Sequence, residues 1–197
     1  MYYPDSKSHR LQDYDYSQPG WYFVTLSTRN MSCLFGSVRN GVINLTDAGR
    51  MVERVWQELP IYSSRIDLDI FQVMPNHFHG ILIIKEDLKQ ILGTLVNAGH
   101  GDPAKQQHRR QEYPKAERNL TETFLSVPDL VACFKSLTTT QYIRGVKENN
   151  WKRFDKKLWG ARFHDHVIRT ESALQSIRTY IQNNPRKWEL DRLNKQL

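Results

Sequence analysis

Met74-Pro75-Asn76-His77-Phe78-His79-Gly80 runs directly into Ile81-Leu82-Ile83-Ile84, so two imidazoles stand two positions apart where an apolar strand begins. Successive side chains on a strand point to opposite faces, which puts His77 and His79 about 6–7 Å apart on one face with Ile81 and Ile83. Phe78, Leu82 and Ile84 take the other face. A strand that is apolar on both sides belongs at the centre of a sheet covered by helices. Two polar rings in that setting need partners. Hydrogen bonds to backbone or carboxylates satisfy them in one reading, and a shared cation does so in the other. A neutral imidazole pair is only half of a catalytic metal site, because the ion takes a third protein ligand and keeps positions open for substrate oxygens.

The 197 residues suffice for one domain with extensions. With 28 Lys and Arg against 21 acids, the net charge of +7 favours a polyanionic partner by long-range attraction. Two basic runs stand out, one from Lys105 to Arg118 and one from Lys152 to Arg162, and either alone is compatible with ordinary solvated surface. Cys33 and Cys133 lie far apart and outside any C-x-x-C spacing, which argues against a disulfide framework and a thiolate metal site. The sequence lacks a run of about 18 apolar residues that could span a bilayer, and Met1 to Gly20 lacks the apolar centre of a secretion signal. A cytoplasmic protein with no membrane partner is expected.

Along the chain, residues 1–20 read as a polar, Tyr-rich arm ending at the turn signal Pro19-Gly20. Trp21 to Thr28 alternates as a half-buried strand. Asn40-Gly41 between short apolar pieces predicts a tight, peripheral hairpin within 33–45. Thr46 caps a helix whose apolar face is Ala48, Met51, Val52, Val55, Trp56 and Leu59, closed by Pro60. Ile66 to Met74 alternates as a second strand, antiparallel to the histidine strand. Residues 99–123 read as a mobile insertion within one domain spanning 21–197. Pro128 opens a helix with the stripe Leu130, Cys133, Phe134 and Leu137, Trp159 to Ile168 resumes strand character, and Thr170 with Glu171 starts a last helix carrying Leu174, Ile177 and Ile181. The order β-α-β-β-α-β-α matches an α+β, ferredoxin-like core with one appended helix.

Tyr180 and Asn184 lie four apart on that last helix, neighbours on one face. A phenol there can attack phosphorus and hold a covalent intermediate, and the amide oxygen is a hard ligand suited to Mg²⁺ or Mn²⁺. The alternative is structural, with Tyr180 packing beside the apolar stripe and Asn184 ending the helix before Pro185. His164-Asp165-His166 is a second H-x-H pair, open to a metal, DNA-binding or structural role. Tyr142 is the rival nucleophile.

Several blocks in order, Tyr14-Asp15-Tyr16-Ser17-Gln18-Pro19-Gly20, Val73 to Gly80, Phe134-Lys135-Ser136, Leu158 to Arg169, and Tyr180-Ile181-Gln182-Asn183-Asn184-Pro185, resemble the REP-associated tyrosine transposases, which are single-tyrosine HUH transposases. The likeness runs over most of residues 11–190. It implies a ferredoxin-like HUH fold, a divalent ion (Mg²⁺ or Mn²⁺), and cleavage and rejoining of single-stranded DNA through a 5′-phosphotyrosine. By that resemblance His77 and His79 bind the metal, Tyr180 is the nucleophile and Asn184 the third ligand. Related enzymes often carry Gln at the last position. The insertion at 99–123 departs from compact members.

The implied substrate is hairpin DNA with a flanking single-stranded tetranucleotide, handled by a monomer or a homodimer. Lys135, Arg144, Arg162 and His166 are candidate DNA contacts, cations on phosphates and rings on unpaired bases. A phenol with an ordinary pKa near 10 must be activated as it attacks, and water or His166 are candidate proton acceptors. Two other readings stay open: a hydrolytic metallonuclease whose ion activates water, and a non-catalytic nucleic-acid-binding module on the same sheet.

Overall fold

The computed structural model describes residues 11, 14–86 and 126–194; the expected insertion at 99–123 and most of the 1–20 arm lie outside the described residues. Four strands form one antiparallel sheet: β1 (Gly20–Ser27), β4 (Ile66–Val73), β5 (His77–Ile84) and β6 (His164–Ile168), in the spatial order β4-β5-β1-β6. A separate hairpin, β2 (Gly36–Arg39) and β3 (Val42–Leu45), precedes helix α1 (Asp47–Gln57). Helix α2 (Val127–Glu148) leads to β6, and α3 (Glu171–Asn183) follows it. The order and pairing are those of a ferredoxin-like α+β fold with an appended helix, as the alternation of periodicities predicts. Among the described residues no helix is long and apolar enough to cross a membrane.

β5 and β1 are the two inner strands, each hydrogen-bonded on both sides. The expectation of a half-buried first strand is corrected here: Tyr22, Phe23, Val24 and Leu26 are all 0% exposed. Helices cover both faces. Thr25 looked like part of a polar face in sequence, yet it is buried because it stands opposite His79.

One face carries the main core. Trp56 of α1 packs on Phe78 of β5 at 4.6 Å between ring centroids and on Phe134 of α2 at 5.3 Å, so three elements meet in one aromatic contact. The other face carries a smaller core in which Phe23 and Ile81 meet Leu174, Ile177 and Ile181 of α3. α2 buries Leu130, Phe134, Thr138, Tyr142 and Gly145, whereas Cys133 of the expected stripe is only half-buried. Thr138 is in that row because its hydroxyl accepts the indole N–H of Trp159 at 2.8 Å. Trp159 itself forms an isolated bridge with Thr28, so β6 begins later than the sequence suggested, at His164.

The helix starts at Thr46 and Thr170 follow their expected caps, and Ser126 caps the helix expected to open at Pro128. Thr46 accepts from Gly49 N–H, Ser126 from Asp129 N–H and Thr170 from Ala173 N–H, each satisfying a donor that the first helical turn leaves unpaired. Pro60 falls inside a short 3₁₀ turn, Leu59–Tyr62, just after α1.

α1 is docked so closely on the hairpin side that Gly49 has no room for a side chain: a methyl there would lie 2.1 Å from the Phe35 carbonyl oxygen and 2.9 Å from Leu45 Cδ2. Helix propensity alone favours Ala over Gly by about 1 kcal/mol, and the contact with backbone opposes it. Gly49→Ala is therefore expected to destabilise the fold by about 1–3 kcal/mol, read as a lower urea midpoint at unchanged slope; a raised midpoint would show that α1 is free to move away.

Candidate active site

His77 and His79 begin β5 immediately after a two-residue turn. Met74 N–H donates to the His77 carbonyl at 2.8 Å, and the Pro75 carbonyl accepts from Leu34 and Phe35 N–H at 2.9 and 3.0 Å. The turn is thereby fixed to the chain that enters the hairpin. Both histidines are 0% exposed, and their ring centroids are 4.6 Å apart.

Each ring has one nitrogen engaged with a neighbour. His77 Nδ1 lies 2.8 Å from Asn76 Oδ1. Asn76 Nδ2 donates to the carbonyls of Met31 and Leu193, so its oxygen is the atom left to face the ring and can only accept. His77 Nδ1 therefore carries the proton, and Nε2 presents a lone pair. That lone pair faces two oxygens, Asn184 Oδ1 at 3.3 Å and Asp191 Oδ2 at 3.6 Å. Asp191 Oδ2 is buried with no hydrogen-bond partner, while its other oxygen accepts from Leu193 N–H.

His79 is held in a similar way. Nδ1 lies 2.8 Å from Thr25 Oγ1, and Nε2 lies 3.4 Å from the Tyr180 hydroxyl. Phe23 stacks on the His79 ring at 5.5 Å and meets Tyr180 edge-on at 6.2 Å. Trp188 leans on His77 at 6.0 Å.

Protonation of either ring is opposed by its surroundings. Burial depresses the His77 pKa to about 4 against the pull of Asp191 and the Asn184 hydrogen bond. Burial, then the neighbouring His77 and His164, push His79 well below the ordinary range. At neutral pH a lone pair thus points at two oxygens that cannot donate to it, which leaves electron-rich atoms facing one another across a buried gap. A cation resolves that arrangement. His77, His79 and Asp191 bring one ligand atom each within 4.8 Å of one another, a spacing that could hold a metal ion.

Asp191 is the residue that sequence reasoning missed. It follows a 3₁₀ turn, Pro185–Leu190, which reverses the chain after α3 and returns the carboxylate to the sheet. The sequence signal was an acid seven positions beyond Asn184 on a segment opened by proline, but its direction depended on the turn.

The sequence-named groups separate clearly in space. His77, His79, Tyr180 and Asn184 converge. The rival Tyr142 does not: its hydroxyl donates to the Lys152 carbonyl at 2.8 Å, and burial pushes the phenol up to about 12. Arg144 pairs with Glu148 on the exposed side of α2. Lys135 Nζ donates to the Gly160 carbonyl at 2.9 Å and, with Arg162, lines a cleft of about 550 Å³ that also includes Phe163. In the second H-x-H pair, His164 stands opposite Thr25, in the row that contains His79, and His166 stands opposite Phe23. Burial and Arg169 lower the His166 pKa against Asp165.

The chain is 32% identical over 187 residues to an uncharacterised protein of Haemophilus influenzae, covering 95% of this chain and 92% of that one. No protein-family profile matches it. Among solved structures it is similar to a REP-associated tyrosine transposase bound to a REP hairpin, with a TM-score of 0.53 and 17% identity over 91% of this chain and 74% of the other. A second similar structure is a transposase-like protein from Deinococcus radiodurans, with a TM-score of 0.43 and 14% identity over 88% of this chain and 95% of that one. At 17% identity the first of these structures establishes a shared fold.

The buried neutral histidines set a pH dependence. Unfolded, each titrates near 6.5; folded, His77 stays neutral down to about 4. Below pH 6.5 the unfolded chain binds more protons, so stability is full above that value and declines as pH falls toward 4, by up to about 1.4 kcal/mol per pH unit per group. In chelator, the denaturation midpoint should drop between pH 6.5 and 4.5, and more shallowly in His77→Ala. Mn²⁺ should raise the melting temperature at pH 6 as it does at pH 7.5, since folded His77 is not yet protonated; no rise at either pH would count against a metal site.

Proposed function

We propose that this chain, which belongs to one family with the uncharacterised Haemophilus influenzae protein and has the fold of a REP-associated tyrosine transposase, is a metal-dependent single-stranded DNA transesterase with Tyr180 as its nucleophile. One observation carries the reading: the Tyr180 hydroxyl lies 3.4 Å from His79, beside a histidine, an amide and a carboxylate oriented toward one buried point.

His77, His79, Asn184 and Asp191 would hold the ion. Two imidazoles with two oxygen donors suit Mn²⁺ well and Mg²⁺ acceptably. When bound, the ion supplies a Lewis acid for a nonbridging phosphate oxygen. The chain's own residues do the rest. Phe23 and His79 hold the Tyr180 ring so that its hydroxyl opens toward the same point as the ligands. Tyr180 Oη attacks the scissile phosphorus; a bond from phosphorus to Oη replaces the bond to the 3′-oxygen, which leaves and becomes a 3′-hydroxyl. The phenolic proton passes to water or to His166, whose strand position faces the Phe23 ring that Tyr180 meets edge-on. The phosphotyrosine retains the energy of the broken ester, so attack by another 3′-hydroxyl rejoins DNA without a nucleotide cofactor.

Asn76 and Thr25 act as positioning residues. Each engages the nitrogen of its histidine that points away from Tyr180 and the oxygen ligands, which fixes ring orientation and leaves the other nitrogen for the ion. The net charge of +7 supports a nucleic-acid substrate.

The test mixes protein, Mn²⁺ and labelled single-stranded hairpin DNA and separates products on a denaturing gel. A covalent protein–DNA band is expected. Tyr180→Phe should reduce it by about 10³-fold or more, while Tyr142→Phe should retain it and chelator should remove it. Protein-free cleavage product from Tyr180→Phe would instead indicate a hydrolytic nuclease, and DNA binding without any cleavage would indicate a binding module.

A further inference from the structure

The β2–β3 hairpin and the segment after α3 come together outside the site. The hairpin turns through Asn40 and Gly41 at φ of 51° and 72°, the left-handed geometry that tight hairpins require. A methyl built on Gly41 would lie 3.3 Å from the Cα of Arg186, so the turn rests directly on the 3₁₀ segment Pro185–Leu190. That contact sets Arg186 against the hairpin whose last β2 residue is Arg39, and Lys187 and Arg192 follow Arg186 on the same segment. All four are exposed, and none forms an ion pair with a described residue. The acids on the same two segments are Glu189, which is exposed, and Asp191, whose carboxylate is turned inward to His77.

We propose that this ridge holds the phosphate backbone of double-stranded DNA beside the cleavage site. The inference rests on the reading of the chain as a DNA-processing protein and assigns the surface that grips paired substrate. Its chemistry distinguishes duplex from single strand. Proteins that bind unpaired DNA combine cations with exposed aromatic rings on which bases stack. Here the only aromatic residue of the two segments is Trp188, 7% exposed and turned against His77. The other large apolar groups presented to solvent are Val42 and Leu190, which offer no ring face. Guanidinium and ammonium groups without rings suit phosphates, whose spacing a duplex keeps fixed. The segment that carries Arg186 and Lys187 starts at Asn184 and ends at Asp191, both of which reach His77, so a stem seated on it would lie next to the site that holds Tyr180.

The test measures binding of the full chain by fluorescence anisotropy over a salt series, with a blunt mixed-sequence DNA duplex and an oligo(dT) strand of equal phosphate number as probes. For the triple variant Arg39→Ala, Arg186→Ala, Lys187→Ala, the slope of log affinity against log salt on duplex should shrink by about 2–3 relative to wild type, with the oligo(dT) slope unchanged. Arg39→Ala and Lys187→Ala alone should each reduce the duplex slope by about 1. Tyr180→Phe should keep the wild-type slope, so failure of the nucleophile assignment leaves this result intact. An unchanged duplex slope, or equal losses on both probes, would overturn the proposal.

Discussion

The structure depends on keeping two imidazoles uncharged in a place water does not reach. On an exposed strand the pair would be half-protonated near pH 6.5 and would repel cations. On β5 burial denies both rings their second proton, Asn76 decides which nitrogen of His77 keeps its lone pair, and Thr25 holds the Nδ1 edge of His79. Every other part of the site refers to that choice. Asn184 and Asp191 approach His77 Nε2 with oxygens, an arrangement that a bound cation would satisfy. Without such a cation, the buried and unpartnered Asp191 Oδ2 would carry a penalty of about 1–3 kcal/mol.

The division of labour between the two faces of β5 follows from the two-residue period of a strand. Phe78 faces Trp56 and Phe134, and anchors β5 to both helices of the main core. His77 and His79, one position to either side, face α3 instead. A histidine pair on a central strand, braced from behind by three aromatic rings, has little freedom to drift. Precision of that kind is what the proposed ion, with fixed ligand distances, and an in-line attack would both demand.

Much of this was legible in the chain itself. The H-x-H spacing, the alternation on either side of it and the capping threonines specified the strand, its faces and the helix starts, because these are local properties. The four-residue interval between Tyr180 and Asn184 likewise placed two groups on one helical face. What local reading could not reach were contacts that depend on how the chain returns. Asp191 became visible only once the 3₁₀ turn had folded it against His77, and Thr25 looked like the polar side of a half-exposed strand until its partner across the sheet was known. Tyr142 shows the converse. In sequence it competed with Tyr180, but its hydroxyl is already spent on a backbone carbonyl in the interior.

The site also has two unequal halves. The sheet contributes His77, His79 and Thr25 from inner strands, whereas Tyr180, Asn184 and Asp191 come from residues 171–194, which join the body through the smaller core of Phe23, Ile81 and Ile168 with α3. Beyond the contacts of the site itself, polar links bind the second half to the first: Arg178 pairs with Asp69 of β4 at 2.6 Å, and Asn76 Nδ2 donates to the Leu193 carbonyl at 2.7 Å. Asn76 therefore serves both halves at once, orienting His77 with its oxygen and tethering the returning chain with its nitrogen. One amide thus couples the tautomer of His77 to the position of the segment that carries Asp191. Separation of the two halves would release both together, because Asn76 cannot turn its amide to follow Leu193 without withdrawing the oxygen that keeps the proton on Nδ1.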